Sequence, residues 1–68
     1  MKHYLELTDA NNRACFIAAE DISALHENGN MCVITVIGVP TTFTVRKSPY
    51  EVIKKMIEIG LFELVKFS

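Results

Sequence analysis

Cys15, Cys32, His3 and His26 are the residues of this chain best suited to hold a metal or drive a nucleophilic step. Thiolate and imidazole are the usual zinc donors, but structural zinc sites draw them in close pairs, about two to five residues apart. Here the four stand singly. The spacing therefore points to strand thiols and surface imidazoles rather than a metal centre. A cysteine nucleophile would also need a base or a helix N-terminus beside it, and a buried strand thiol is the commoner role. Glu20 and Asp21 form a carboxylate pair. Adjacent carboxylates rarely converge on one substrate, acidic residues commonly open a helical turn, and no base or oxyanion donor accompanies them. The chain has no phosphate-binding glycine loop, no nucleophile elbow and no paired-histidine metalloprotease motif. No catalytic residue, metal or cofactor is expected.

The basic residues Arg46, Lys47, Lys54, Lys55 and Lys66 could contact phosphates. Phosphate contacts supply much of nucleic-acid affinity and normally show as a basic excess or stripe. The chain carries 7 basic and 8 acidic residues, for a net charge of −1, and Lys54 and Lys55 sit beside Glu51 and Glu58. Tyr4, Tyr50, Phe43, Phe62 and Phe67 could stack on bases only if they shared an exposed face with those charges. Phe43 is patterned as core, and Tyr50 lies at the edge of an apolar arc. A small nucleic-acid-binding regulator is thus the alternative reading, with nucleic acid the less expected partner.

The elements that would position these groups are legible from periodicity. Lys2–Thr8 alternates, with Leu5 and Leu7 on one face and Tyr4, Glu6 and Thr8 on the other, as in a half-buried strand. Asp9-Ala10-Asn11-Asn12 is turn chemistry. Arg13–Ala18 then reads as the second strand of a hairpin, Phe16 facing away from Cys15 and Ile17. The alternation breaks at 18–21, which predicts a single helical turn or a bulge. A third strand is expected over Ser23–Glu27. Asn28-Gly29 predicts a type I′ hairpin turn. Residues 31–37 are apolar at nearly every position, the pattern of a central strand buried on both faces. Gly38-Val39-Pro40 turns the chain into a strand over Thr41–Val45, Phe43 and Val45 inward.

A helix follows over 48–59. Ser48 is a good N-cap, Glu51 completes a capping box, and Pro49 suits the first helical position. Val52, Ile53, Met56, Ile57 and Ile59 fall on one arc, with the charged residues opposite. Glu51 and Lys55 are spaced for an i, i+4 ion pair, and Gly60 fits the C′ position. The segment 61–68, with Phe62, Leu64, Val65 and Phe67, is too apolar for a loose end and is expected to dock as a last strand. The fold class is therefore α+β, an antiparallel meander of four to five strands packed by one C-terminal helix.

The chain has 68 residues, half of them apolar, with mean hydropathy +0.25. That length makes one small domain, 1–68, with a thin stability margin. The apolar content argues against disorder and leaves apolar surface for a partner or a second copy. Met1–Glu6 has no apolar targeting core, and no run is long enough to span a bilayer. The expectation is a cytoplasmic protein, not bound to membrane, with both cysteines reduced.

The chain also resembles the small flagellar-associated FlbD-like family, whose relatives occur in bacteria and phages. The likeness runs over Leu5–Glu58. It is carried by Leu7-Thr8-Asp9-Ala10-Asn11, by Phe16-Ile17 with Ile22, by Val33–Gly38, and by Thr44–Ile53 leading into the helix. The sequence departs from the family pattern at Asn12, at Lys47 and in residues 60–68. The resemblance implies a small sheet with a C-terminal helix and transfers no catalytic residue. A partial likeness over Asp21–Ser68 to LytTR-type DNA-binding domains lacks their basic residues near Phe62 and keeps only Lys66. Together these readings predict a non-catalytic protein-interaction module that self-associates. Its contacts would be an open strand edge or a patch of Phe62, Leu64, Val65 and Phe67.

Overall fold

A computed structural model describes residues 1–67. Five antiparallel strands and one helix make a small α+β fold. β1 (Tyr4–Thr8) and β2 (Ala14–Ala18) form one hairpin. A 3₁₀ turn at Ala19–Asp21 then lifts the chain into a second sheet. That sheet comprises β3 (Ile22–Asn28), β4 (Met31–Val36) and β5 (Thr42–Val45), with β4 central. α1 (Pro49–Glu58) closes one side.

The strands thus divide into two sheets. The break is the predicted disturbance at 18–21, and it takes both of the forms expected: a 3₁₀ turn, then a register shift between Ile22 and Ala24 where Ser23 is the extra residue. The sheets rejoin at one corner. Thr8 C=O accepts the Arg46 N–H at 2.8 Å, the Ala10 N–H donates to Thr44 C=O at 3.1 Å, and Asp9 bridges Val45.

Local chemistry explains the connections. The Asp9 carboxylate accepts from the Asn11 and Arg13 N–H groups at 2.8 and 2.9 Å, closing the first hairpin loop. Asn12 takes φ 64°, a left-handed conformation that asparagine tolerates and glycine adopts freely. In the second hairpin Asn28 pairs Met31, so Gly29 and Asn30 are the central turn residues. Only Gly29 has positive φ, at 61°. That is the pattern of a type II′ turn rather than the expected I′, because the glycine occupies the first central position.

Two buried groups share one interior. Leu5, Ala19, Val52 and Met56 form the cluster under the helix, and Ile17, Cys32, Ile34 and Val45 form the cluster between the sheets. Half-buried Leu7, Ile22 and Leu25 touch both. β4 departs from expectation: Cys32 and Ile34 are fully buried, whereas Met31 and Val33 on its other face are half-buried and join neither cluster. The first hairpin packs on the Cys32–Ile34 side only, so the second apolar face has cross-strand neighbours but no covering layer.

α1 is built as its sequence dictates. Ser48 Oγ accepts the Glu51 N–H at 3.2 Å, and the Glu51 carboxylate accepts the Ser48 N–H at 3.1 Å. That carboxylate is therefore turned back to the cap, and the expected Glu51–Lys55 pair does not form. Lys55 instead meets Glu58 at 3.4 Å. Val52 and Met56 are buried and Ile53 and Ile59 half-buried, but Ile57 is 38% exposed. The buried stripe is narrower than the apolar arc, because one helix on a small sheet makes one line of contact.

Gly60, at φ 82°, ends the helix. Its N–H donates to Ile57 C=O at 2.9 Å and the Leu61 N–H to Met56 C=O at 3.4 Å, the paired bonds of a Schellman cap. The expected final strand does not form. Residues 62–67 carry no regular structure; Leu61 and Phe62 are half-buried on the Met56 cluster, residues 63–67 are exposed, and Ser68, the last residue of the expected strand, lies outside the described residues. Reversal at Gly60 returns it along α1 with no ladder partner.

Candidate functional site

The residues singled out for catalysis are scattered or already engaged. His3 lies at the entry to β1, where its Nδ1 meets Glu20 Oε2 at 2.6 Å and its backbone N–H donates to the same carboxylate at 2.9 and 3.1 Å. The side-chain hydrogen bond from His3 and the backbone one hold the Glu20 pKa at about 2. Asp21 pairs with Lys2 at 2.8 Å, which raises the lysine pKa. The carboxylate pair therefore clamps the start of β1 onto the 3₁₀ turn. His26 is exposed on β3, remote in register from that clamp. Cys15 and Cys32 are free thiols in the same core cluster, and burial pushes both up from the usual thiol range. A raised thiol pKa disfavours the thiolate, the nucleophilic form. Among the described residues no three His, Cys, Asp or Glu side chains converge as a metal site, and no helix is long and apolar enough to cross a membrane.

The basic residues do not gather into one face. Arg46 donates from its guanidinium to Ala10 C=O at 2.8 Å and Asp9 C=O at 3.3 Å, so it fastens the sheet corner. Lys47, Lys54 and Lys55 line a groove together with Glu6, Glu51 and Glu58. Lys66 lies apart, in the irregular segment. Tyr50 and Phe67 are exposed, whereas Phe43 is half-buried in the core. Three carboxylates share the groove with the three lysines, and Lys55 pairs with Glu58 at 3.4 Å, an arrangement that weakens attraction to a polyanion.

Of the expected apolar patch, Leu64, Val65 and Phe67 are exposed, at 51%, 78% and 100%. Phe62 leaves the expected patch for the core. Leu64 sits over a shallow depression with Leu25, Glu27, Pro49, Tyr50 and Ile53, on the β3 flank of the helix. A second exposed pair lies elsewhere: Tyr4 on β1 and Phe16 on β2 are both exposed on the outer face of the first hairpin. Their outward alternation was readable; that no layer covers the face was not.

A groove of about 610 Å³ lies between β1 and α1. Leu5, Leu7, Val52 and Ile59 supply apolar surface, and the charged residues form its rim. One wall is a strand edge. Ala19 N–H bonds His3 C=O and Asp9 N–H bonds Arg13 C=O, so the odd-numbered residues of β1 hydrogen-bond β2. The N–H and C=O groups of Tyr4, Glu6 and Thr8 then point the opposite way. Thr8 C=O finds Arg46, whereas Tyr4 and Glu6 have no ladder partner on that side among the described residues. The reason lies in the sequence: β5 would run on past them, but the Ser48-Pro49 step turns the chain into α1. Comparison with family models, curated proteins and solved structures returns no significant match to this chain.

Proposed function

We propose that this chain is a non-catalytic protein-interaction module that self-associates. The observation that carries the reading is the coexistence of two unsatisfied features. One is the open edge at Tyr4 and Glu6; the other is the exposed run Leu64, Val65 and Phe67. An open edge is a ready template for another chain, and exposed apolar residues in a domain of thin stability margin favour association. The reactive side chains support no competing chemistry: the thiols are raised by burial and the paired carboxylates are spent on a structural clamp. Light scattering coupled to size exclusion tests the reading. The expected result is a mass that rises towards twice the chain mass with concentration. A strict monomer at high concentration would overturn it.

A further inference from the structure

We propose that residues Val65–Phe67 of one copy add as a strand to the open β1 edge of a second copy, in the groove beside α1, and that two copies exchange these segments reciprocally. The proposal rests on the self-association reading and names its mode.

The acceptor is defined by the backbone. Tyr4 and Glu6 each present an N–H and a C=O to the groove, in line with the bonds that Thr8 and Ala10 make to β5. A guest strand there continues the line of β5, antiparallel to β1, and satisfies groups that solvent now satisfies.

The donor is defined by its pattern. Val65-Lys66-Phe67 alternates apolar, charged, apolar, and none of the three is covered. In a strand, Val65 and Phe67 share one face and Lys66 the other. Leu5 and Leu7 face inward on β1 and Glu6 outward. Matching the faces puts Val65 and Phe67 against Leu5, Leu7 and Val52, and puts Lys66 beside Glu6 on the outer face. Opposite charges directly across a ladder stabilise it. A guest with the reverse pattern would bury a lysine beneath the helix.

The occupant is a second copy because the chain's own segment lies elsewhere. Leu64 sits on the flank of α1 formed by Tyr50 and Ile53, next to β3. The groove lies on the flank formed by Glu51, Val52, Lys55 and Glu58, next to β1. Reciprocal exchange fills both grooves of a two-fold dimer and leaves neither β1 edge open.

Sedimentation equilibrium on the full chain and four variants tests this. Glu6→Pro removes an N–H that points away from β2, so the hairpin ladder survives and only the groove loses a donor; circular dichroism verifies the fold. It is expected to abolish the dimer. Glu6→Lys and Lys66→Glu, singly, are expected to weaken dimerisation about five- to tenfold, because the pair occurs twice in the symmetric assembly. The double variant carrying both is expected to restore it. A dimer that persists in folded Glu6→Pro, or charge reversals that the double variant does not rescue, would overturn the exchange and leave self-association standing. A wild-type chain that is monomeric throughout would overturn both.

Discussion

The Thr8 carbonyl accepts the Arg46 backbone N–H at 2.8 Å, and this bond marks the corner where the two sheets are joined. The Arg46 guanidinium reinforces it through the Ala10 and Asp9 carbonyls. Arg46→Ala should lower stability by about 1–2 kcal/mol, the low end for hydrogen bonds to a charged group because Arg46 is exposed to solvent. Arg46→Lys should recover little, because an ammonium lacks the planar fork that reaches both carbonyls. Urea unfolding of the two variants checks this; equal stability of Arg46→Lys and wild type would count against it.

The helix face divides its isoleucines and methionine by role. Met56 is 2% exposed and packs with Leu5, Ala19 and Val52. Met56→Ala should cost about 2–5 kcal/mol, enough to unfold much of a domain this small. Ile57 shares the apolar arc but is 38% exposed, so Ile57→Ser should cost clearly less than Met56→Ala, about 1 kcal/mol. Thermal melts of both variants separate the cases, and a large loss for Ile57→Ser would place the helix wrongly.

Acid should loosen the clamp on β1. Glu20 has its pKa lowered from 4.5 to about 2 by the hydrogen bonds from His3. A depressed carboxylate contributes stability that is complete above its unfolded value and fades as pH falls through its folded value. The Glu20 contribution is therefore present at neutral pH and lost between about pH 4.5 and 2. Asp9 and Glu51 are lowered as well, chiefly by backbone N–H groups of Arg13 and Ser48 respectively, and add in the same direction. Glu20→Gln should flatten that part of the stability profile. An unchanged acid profile in the variant would show that the His3 contact adds nothing.

Nucleic acid should not bind. Arg46 is committed to carbonyls, and the groove lysines share the groove with Glu6, Glu51 and Glu58. Fluorescence anisotropy with labelled duplex DNA at low salt, where phosphate attraction is strongest, should show no saturable binding. Saturable, salt-sensitive binding lost in a variant lacking Lys47, Lys54 and Lys55 would restore the regulator reading.

Much of this fold is written locally. The capping box at Ser48 and Glu51, the glycine stop at Gly60 and the break at 18–21 need only neighbouring residues, and each is legible as a pattern. The strands are legible for the same reason. What escapes is layering. Residues 31–37 are apolar at all but Thr35, yet which face of β4 gains a covering layer depends on where the first hairpin folds over. Ile57 and Val52 look alike in periodicity, and only the width of the sheet decides which is buried. The last segment has strand-like residues but no free ladder in its own chain, a fact of topology rather than propensity. The groove was invisible for a related reason: Tyr4 and Glu6 read as ordinary outward residues until β5 is seen to stop short of them.

Amide hydrogen exchange at Tyr4 and Glu6, followed from dilute to concentrated protein, tests the open-edge account most directly. In dilute solution Leu5 and Leu7, bonded to β2, should be protected while Tyr4 and Glu6 exchange freely; with rising concentration Tyr4 and Glu6 should become protected too. If these two amides still exchange freely at concentrations where the dimer is populated, the β1 edge is not where the copies meet.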